Sequence, residues 1–410
     1  MDIPGLPARK AALRLLDAVL RRGETLEQAG PNALQGIRGD ADRALARALA
    51  GEALRWMGDL DALIDSATHT ALPEDAKARS ALRLMLAGWL RLETPPHAVI
   101  ATGLPLLAGG PRRLAHGVFS TLVKREVSLP AAPSLPEGVA ERWGARSGAI
   151  AAALALPPPL DLVLKDADET AIWAERLGGM SLMPGHVRLP RGQAVERLDG
   201  FRDGAWWVQD IAASLPARLL GAGEGRTVLD LCAAPGGKTM QLAAMGWQVT
   251  ALDASAKRLD RMRQNLERTQ LAADLVQADA MDWEPDRQFD AVLLDAPCTA
   301  TGTCRRHPDV LHRISPRHIG EMAELQSQLL ARAARWVKPG GRLVYAVCSL
   351  EREEGEGQVA AVPMSADPIT SAELPAGIAP GADGWLRTDP AMLADVGGLD
   401  GFFIARWRAD

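Results

Sequence analysis

Residues 228–239 read VLDLCAAPGGKT, and the fold turns on this stretch. An apolar run interrupted by Asp230 has the length of a buried strand. Pro235, Gly236 and Gly237 then force a turn before Lys238 and Thr239 open a helix. A strand, a glycine-rich turn and a helix form the opening unit of a ligand-binding α/β sheet. Neither common phosphate fingerprint is present, since a P-loop needs glycine where Cys232 stands and no Gly-x-Gly-x-x-Gly occurs.

Outward from this turn, short apolar runs alternate with helical stretches from residue 226 onward, the pattern of a parallel sheet with helices on both faces. Strands are expected at 227–231, 248–252, 274–278, 289–294, 342–347 and 402–407, with helices near 238–245, 255–269 and 318–336. Asp230, Asp253, Asp279 and Asp295 end the first four strands, at the edge where open α/β sheets bind ligands. Each alone is explained equally well as a helix N-cap. Together they point to a ligand, because clustered carboxylates repel one another. An acid ending the second strand suits a ribose diol, and Asp279 suits an adenine amino group. A cofactor carrying ribose, an amine and positive charge fits the set, and S-adenosylmethionine has all three. The expected cofactor residues are Cys232, Ala233, Ala234, Pro235, Gly236, Gly237 and Lys238 of the turn, with Asp230, Asp253, Arg258, Asp279 and Asp295.

Two further runs end in cysteine. Residues 289–298 read FDAVLLDAPC, and residues 341–349 read GRLVYAVCS. If these are adjacent parallel strands, Cys298 and Cys348 share the edge that holds the acids, and a cofactor turn beside two thiols implies covalent group transfer. The four cysteines at 232, 298, 304 and 348 contain no C-x-x-C pair, so neither a zinc site nor a disulfide framework is expected. Cys232 also reads as a small buried hydrophobe. Cys304, beside Arg305, Arg306 and His307, lies in the loop after Cys298 and is expected to touch substrate rather than react.

Residues 1–128 are rich in Ala, Leu and Arg with helical periodicity. Leu13, Leu16 and Leu20 share one face, Leu45, Leu49 and Ala53 another, and further helices are expected at 78–92 and 112–126. Pro130, Pro133 and Pro136 mark 129–136 as a linker. Residues 137–207 read as a small α/β module, with a helix over 137–154, a break at Pro157-Pro158-Pro159, a strand over 160–165 and a helix near 169–177. The remainder, 208–410, is the sheet domain. The fold class is multidomain: an all-α N-terminal domain, a small α/β module and a C-terminal Rossmann-like α/β domain.

The chain has 410 residues, enough for several domains with real cores, and its 47% apolar and 24% charged content is that of a globular protein. No apolar run is long enough to span a membrane and the N-terminus lacks a signal layout, so a cytoplasmic monomer without membrane contact is expected. The net charge of −5 argues against nucleic acid only until its distribution is read. Residues 1–128 carry a net +3 and residues 349–410 a net −7. Basic clusters stand at Arg112-Arg113, Lys124-Arg125, Arg305-Arg306-His307 and from Arg313 to His318. Such clusters bind phosphates whatever the total charge, although each also reads as a solvated face.

The motifs at 229–239, 294–298 and 345–350, with WVQDIAASL at 207–215 and GFFIAR at 401–406, resemble the signature blocks of the Sun-type RNA cytosine-C5 methyltransferases. The helical N-terminus, through DRALAR at 42–47 and GVFSTLVKR at 117–125, is similar to the NusB-like module fused to the RsmB-type bacterial branch acting on small-subunit ribosomal RNA. The resemblance implies an S-adenosylmethionine-dependent methyltransferase domain over 208–410 and RNA docking by 1–128 and 137–207. It implies that Cys348 is the nucleophile, that Cys298 assists release of product, and that Asp295 bonds the cytosine ring nitrogen 3 or amino group. Lys238 is assigned to the base or to the thiolate, against the plainer reading of a helix-start lysine paired with a carboxylate. DNA cytosine methyltransferases use the Pro-Cys cysteine instead, which is Cys298 here. Departures are Val347 where the family often has Thr, Ser120 where it often has Asn, and Glu353–Glu356 where a Pro-Glu-Glu-Asn-Glu-like run is usual. They bear on the RNA target, 16S ribosomal RNA or transfer RNA, more than on the reaction. An exocyclic-amine methyltransferase is disfavoured because A-P-C stands where a Pro-Pro-aromatic turn belongs. A non-catalytic ribosome-assembly factor is disfavoured because both thiols and all four acids are retained.

Overall fold

The structure, a computed structural model, describes residues 3–410. Two compact units divide the chain. The first runs up to Leu156 and takes in Arg306–Ile314; the second comprises Pro157–Arg305 and Ser315–Asp410.

The first unit is all-α. Its main helices are Leu6–Arg22, Asp40–Arg55, Met57–Ser66, Lys77–Leu90 and Gly109–Lys124. They bury Leu54, Trp56, Leu86 and Phe119 in one core together with Leu13, Leu16, Leu49 and Ala53 of the two expected faces, while Leu20 and Leu45 pack against it partly buried. The proline-rich 129–136 stretch is not a free linker, since Ser134 donates to Asp59 from both its hydroxyl and its backbone N–H. Nor is 137–154 one helix in an α/β module. Gly144, at φ 54 and ψ −133, breaks it into Glu137–Trp143 and Ser147–Leu154, and both pieces belong to the helical unit. The segment Arg306–Ile314 folds here as well, with Val310 and Leu311 buried and the His312 ring Nε2 2.7 Å from the Leu54 carbonyl.

The second unit holds two sheets. β1 (Leu160–Leu164), β2 (His186–Leu189) and β3 (Trp206–Val208) form an antiparallel sheet in the order β2-β1-β3. Asp161, buried in β1, takes a two-pronged bond from Arg188 at 2.7 and 2.8 Å. Eight strands make the larger sheet: β4 (Thr227–Leu231), β5 (Gln248–Asp253), β6 (Asp274–Gln277), β7 (Phe289–Asp295), β8 (Val337–Val347), β9 (Ser365–Ala366), β10 (Leu386–Arg387) and β11 (Phe403–Arg408). Their order is β10-β11-β8-β7-β4-β5-β6, with β9 on β11. The five strands from β6 to β8 are parallel, whereas β11 runs antiparallel to β8, so the sheet is mixed rather than wholly parallel. Leu229, Leu231, Val292 and Leu294 are fully buried beneath helix Pro316–Arg335, which Ser315 caps by accepting from the His318 N–H. The chain leaves β4 toward β5 and β6, then returns to the far side of β4 as β7. Strand order therefore reverses between β4 and β7, and the crevice at their carboxyl ends is where such sheets take ligands.

Candidate active site

That crevice is built from the turn after β4 and the loops after β7 and β8. In the turn, Cys232 adopts φ 59, and Gly236, at φ 102, opens helix Gly237–Ala244. A side chain on Gly236 would strike Met262 Cγ at 2.7 Å as well as strain the backbone. Burial pushes the Cys232 thiol up to about 12, which makes it an inert apolar wall.

The four acids stand at this edge in different states. Asp230 lies within β4, wholly buried, rather than at its open end. Its Oδ2 accepts from Thr239 Oγ1 at 2.6 Å, while Oδ1 has no partner among the described residues. Burial pushes its carboxyl up to about 7, against the bond from Thr239. Asp253 ends β5 and is fully engaged: Oδ1 accepts from the Ser255 N–H at 2.9 Å, and Oδ2 meets the Ala234 N–H and Arg258 Nη1, each at 3.1 Å. Arg258, half exposed, also donates to the Ala234 carbonyl. Asp279 lies two residues beyond β6 and accepts from the Met281 N–H at 2.8 Å, a turn-capping contact. Asp295 ends β7, with Oδ2 2.8 Å from Lys238 Nζ.

Lys238 thus pairs with a carboxylate, as its plainer reading has it, and it also bears on the thiols. Burial opposes its charge, yet Asp295, with Cys348 and Asp230 behind it, holds the ammonium above the usual lysine range. The ring of Phe402 lies 5.4 Å from Nζ.

Cys298 and Cys348 follow adjacent strands and meet, Sγ to Sγ, at 3.4 Å. The bond to Cys348 and burial hold the Cys298 thiol well above its ordinary range, with the carboxylate of Glu354 adding to both. Either sulfur can donate across this contact, and Cys298 is the thiol that its surroundings hold in the protonated form. The backbone reinforces the pairing. The Gly302 N–H donates to the Cys348 carbonyl at 3.0 Å, and a Cβ at Gly302 would overlap the Gly401 carbonyl at 1.9 Å.

Some expectations change. Cys304 is fully buried, so it does not face substrate. Arg305 is also buried, near Asp210 and Asp400 at 3.8 and 3.5 Å and donating to the Gly397 carbonyl at 2.6 Å. It braces the loop rather than offering charge to a phosphate. Sequence reasoning missed Glu354, Thr299, Ser349 and Gln326, a buried polar group beneath both cysteines. Their only signal is the acidic run after Cys348, which reads as a solvated loop.

The residues present fit a cationic cofactor bearing an amine and hydroxyls. Asp230 keeps an unpartnered buried oxygen next to a turn made narrow by glycine, and every other acid at the edge is a hydrogen-bond acceptor. Among the described residues, no His, Cys, Asp and Glu group is placed to hold a metal ion, and no helix is long and apolar enough to cross a membrane.

Comparison with known proteins adds the following. A family model described as 16S rRNA methyltransferase RsmB/F matches residues 217–408, and the NusB family model matches residues 6–106. A ribosomal RNA small subunit methyltransferase B from Klebsiella pneumoniae subsp. pneumoniae is 33% identical, with 97% of each chain covered. Its counterpart from Xanthomonas campestris pv. campestris is 34% identical, with 87% of each covered. Among solved structures, a methyltransferase homolog protein from Pyrococcus horikoshii is 26% identical with a TM-score of 0.56, over 71% of this chain and 98% of that one.

Proposed function

The chain belongs to the family of ribosomal RNA small subunit methyltransferases of the RsmB/F type, and from that premise we propose that it methylates carbon 5 of a cytosine in 16S ribosomal RNA through a covalent bond from Cys348 to carbon 6. The approach of Cys298 and Cys348 to 3.4 Å, beside the Lys238–Asp295 pair, carries this reading.

Carbon 5 of cytosine is too poor a nucleophile to take a methyl group unaided. A thiolate bonding to carbon 6 moves the ring electrons onto carbon 5, and covalent catalysis of this kind divides one hard step into easier ones. Cys348 supplies the thiolate, with the ammonium of Lys238 at hand to favour its charge. Asp295, paired with Lys238, is an acceptor for the cytosine amino group or for ring nitrogen 3 when that nitrogen carries a proton. S-adenosylmethionine, when bound, supplies the methyl group as an electrophile. Asp230, Asp253, Asp279, Arg258 and the Cys232–Lys238 turn are the residues that would hold it. After methylation, the proton on carbon 5 passes to a water molecule, its bonding electrons restore the ring double bond, and the carbon 6–sulfur bond breaks with its electron pair leaving on Cys348 as thiolate. Cys298, which keeps its proton, is placed to donate a hydrogen bond to the departing Cys348 thiolate. The target base must be unpaired or extruded from its stack to reach sulfurs at a sheet edge.

The helical unit supplies RNA docking in this reading. Arg112, Arg113, Lys124 and Arg125 are all exposed on or at the end of helix Gly109–Lys124. Bisulfite sequencing of total RNA with and without the gene tests the whole proposal. One protected cytosine in 16S ribosomal RNA should lose protection when the gene is absent, and an unchanged pattern overturns it.

A further inference from the structure

Below the two thiols lies a buried carboxylate that the reaction does not use. Glu354 has no exposed surface and reaches the residue after each cysteine. Its Oε1 accepts from the Thr299 N–H at 2.9 Å, and its Oε2 from Thr299 Oγ1 at 2.7 Å. Ser349 bonds the same carboxylate and lies 3.3 Å from Thr299, hydroxyl oxygen to hydroxyl oxygen. Gln326 donates to the Pro297 carbonyl at 2.8 Å and stands 3.5 Å from Glu354 Oε1, so the residues on both sides of Cys298 are tied down. The backbone of Glu354 is fixed in turn, because Tyr345 of β8 donates its hydroxyl to the Glu354 carbonyl at 2.6 Å.

We propose that Glu354 is a positioning residue that holds Cys298 and Cys348 in register for addition and release. A carboxylate is suited to this because it accepts several bonds at once and a charged acceptor makes stronger ones. Leucine or methionine would fill the same space without fixing either cysteine. Burial raises the Glu354 carboxyl, and the bonds from Ser349 and Thr299 work against that rise. Its charge also helps keep the Cys298 thiol protonated. One group therefore sets both where the two sulfurs stand and which of them carries the proton. The role in release rests on the proposed covalent reaction; the role in setting the thiols does not.

Glu354→Gln keeps the volume and removes the charge, and Thr299→Val keeps the shape and removes one donor. Iodoacetamide labelling of the full-length protein across pH, read by peptide mass, measures each thiol without substrate. In Glu354→Gln, labelling of Cys298 should begin at lower pH than in the wild type, and turnover should fall by about tenfold or more, the scale of a lost charged hydrogen bond. Affinity for S-adenosylmethionine should stay unchanged, because the bonds of Glu354 run to Thr299, Gln326 and Tyr345 and not to the Cys232–Lys238 turn. Should Glu354→Gln fail to fold, Thr299→Val decides by the same two readouts. A merely structural glutamate would lower the melting temperature and leave the labelling profiles alone. Unchanged profiles for both cysteines, with turnover within about twofold, overturn the proposal. If the wild type itself makes no methylcytosine, the reaction assigned above fails, while the labelling profiles still judge the positioning role.

Discussion

Lys238 and Asp295 close a 2.8 Å ion pair that joins the turn after β4 to the end of β7, across the point where strand order reverses. The ammonium there serves the carboxylate, and its charge is supported by Cys348 as well as by Asp295. Lys238→Met removes that ammonium and should therefore slow alkylation of Cys348 at pH 7. It should also lower the melting temperature by leaving Asp295 unpaired. Lys238→Met with Asp295→Asn should recover much of the stability and none of the reactivity. Peptide mass measurement of the labelled thiol checks this, and an unchanged labelling rate in Lys238→Met removes the lysine from the chemistry.

The layout of the sheet is legible in the sequence because its cause is local. Apolar runs such as 289–294 can be read along the chain, and the acids and cysteines that end them mark one edge. What escapes such a reading has no period and no neighbour in sequence. Arg305 reads as part of a basic cluster until Asp210 and Asp400 are brought to it from distant loops. Glu354 reads as one more acid in a charged run, because its partners Thr299 and Gln326 come from other elements. Asp230 looks like a strand-end acceptor, yet the pleat turns it inward toward Thr239. The assignment of 306–314 to the helical unit depends on pairings such as His312 with Leu54. Arg305, Glu354 and Asp230 are polar residues buried by tertiary packing, which hydrophobic patterning does not encode.

Asp230 gives a pH signature. Its folded-state pKa, about 7, stands above the unfolded value of about 3.9. Protonation therefore favours the folded chain. The stabilisation is complete in acid and is lost as pH rises through about 7. Asp230→Asn, which keeps an acceptor for Thr239, should raise the melting temperature of the cofactor-free protein at pH 8 and leave it nearly unchanged at pH 4. The same variant should bind S-adenosylmethionine more weakly. Melting curves across pH test the first half and calorimetry the second, and a pH-independent gain in stability would contradict the assignment.

RNA docking is best tested by charge, not by truncation. Residues 306–314 belong to the helical unit, so removing 1–128 would uncover Val310 and Leu311 and confuse misfolding with weakened binding. Replacing Arg112, Arg113, Lys124 and Arg125 by Gln alters only exposed side chains. Binding of 16S ribosomal RNA should weaken, and the slope of log affinity against log salt should flatten by about 0.7 to 0.9 for each phosphate that is no longer neutralised. Affinity for S-adenosylmethionine should not move. An unaltered salt slope would mean that this helix does not meet the RNA.

The two thiols make separable predictions. In the proposed reaction Cys348 forms the bond to carbon 6, so Cys348→Ala should abolish turnover and any covalent complex with RNA. Cys298 keeps its proton against Cys348 at 3.4 Å and in the same proposal serves release, so Cys298→Ala should still attack and methylate but fail to let go. That variant, incubated with substrate RNA and S-adenosylmethionine, should accumulate a protein–RNA complex that survives a denaturing gel, and the double variant should show none. If Cys298 were only a small buried residue, its Ala variant would lose some stability and turn over normally. A trapped complex in Cys348→Ala and none in Cys298→Ala would reverse the two roles and place the nucleophile in the loop after β7, as in the DNA enzymes.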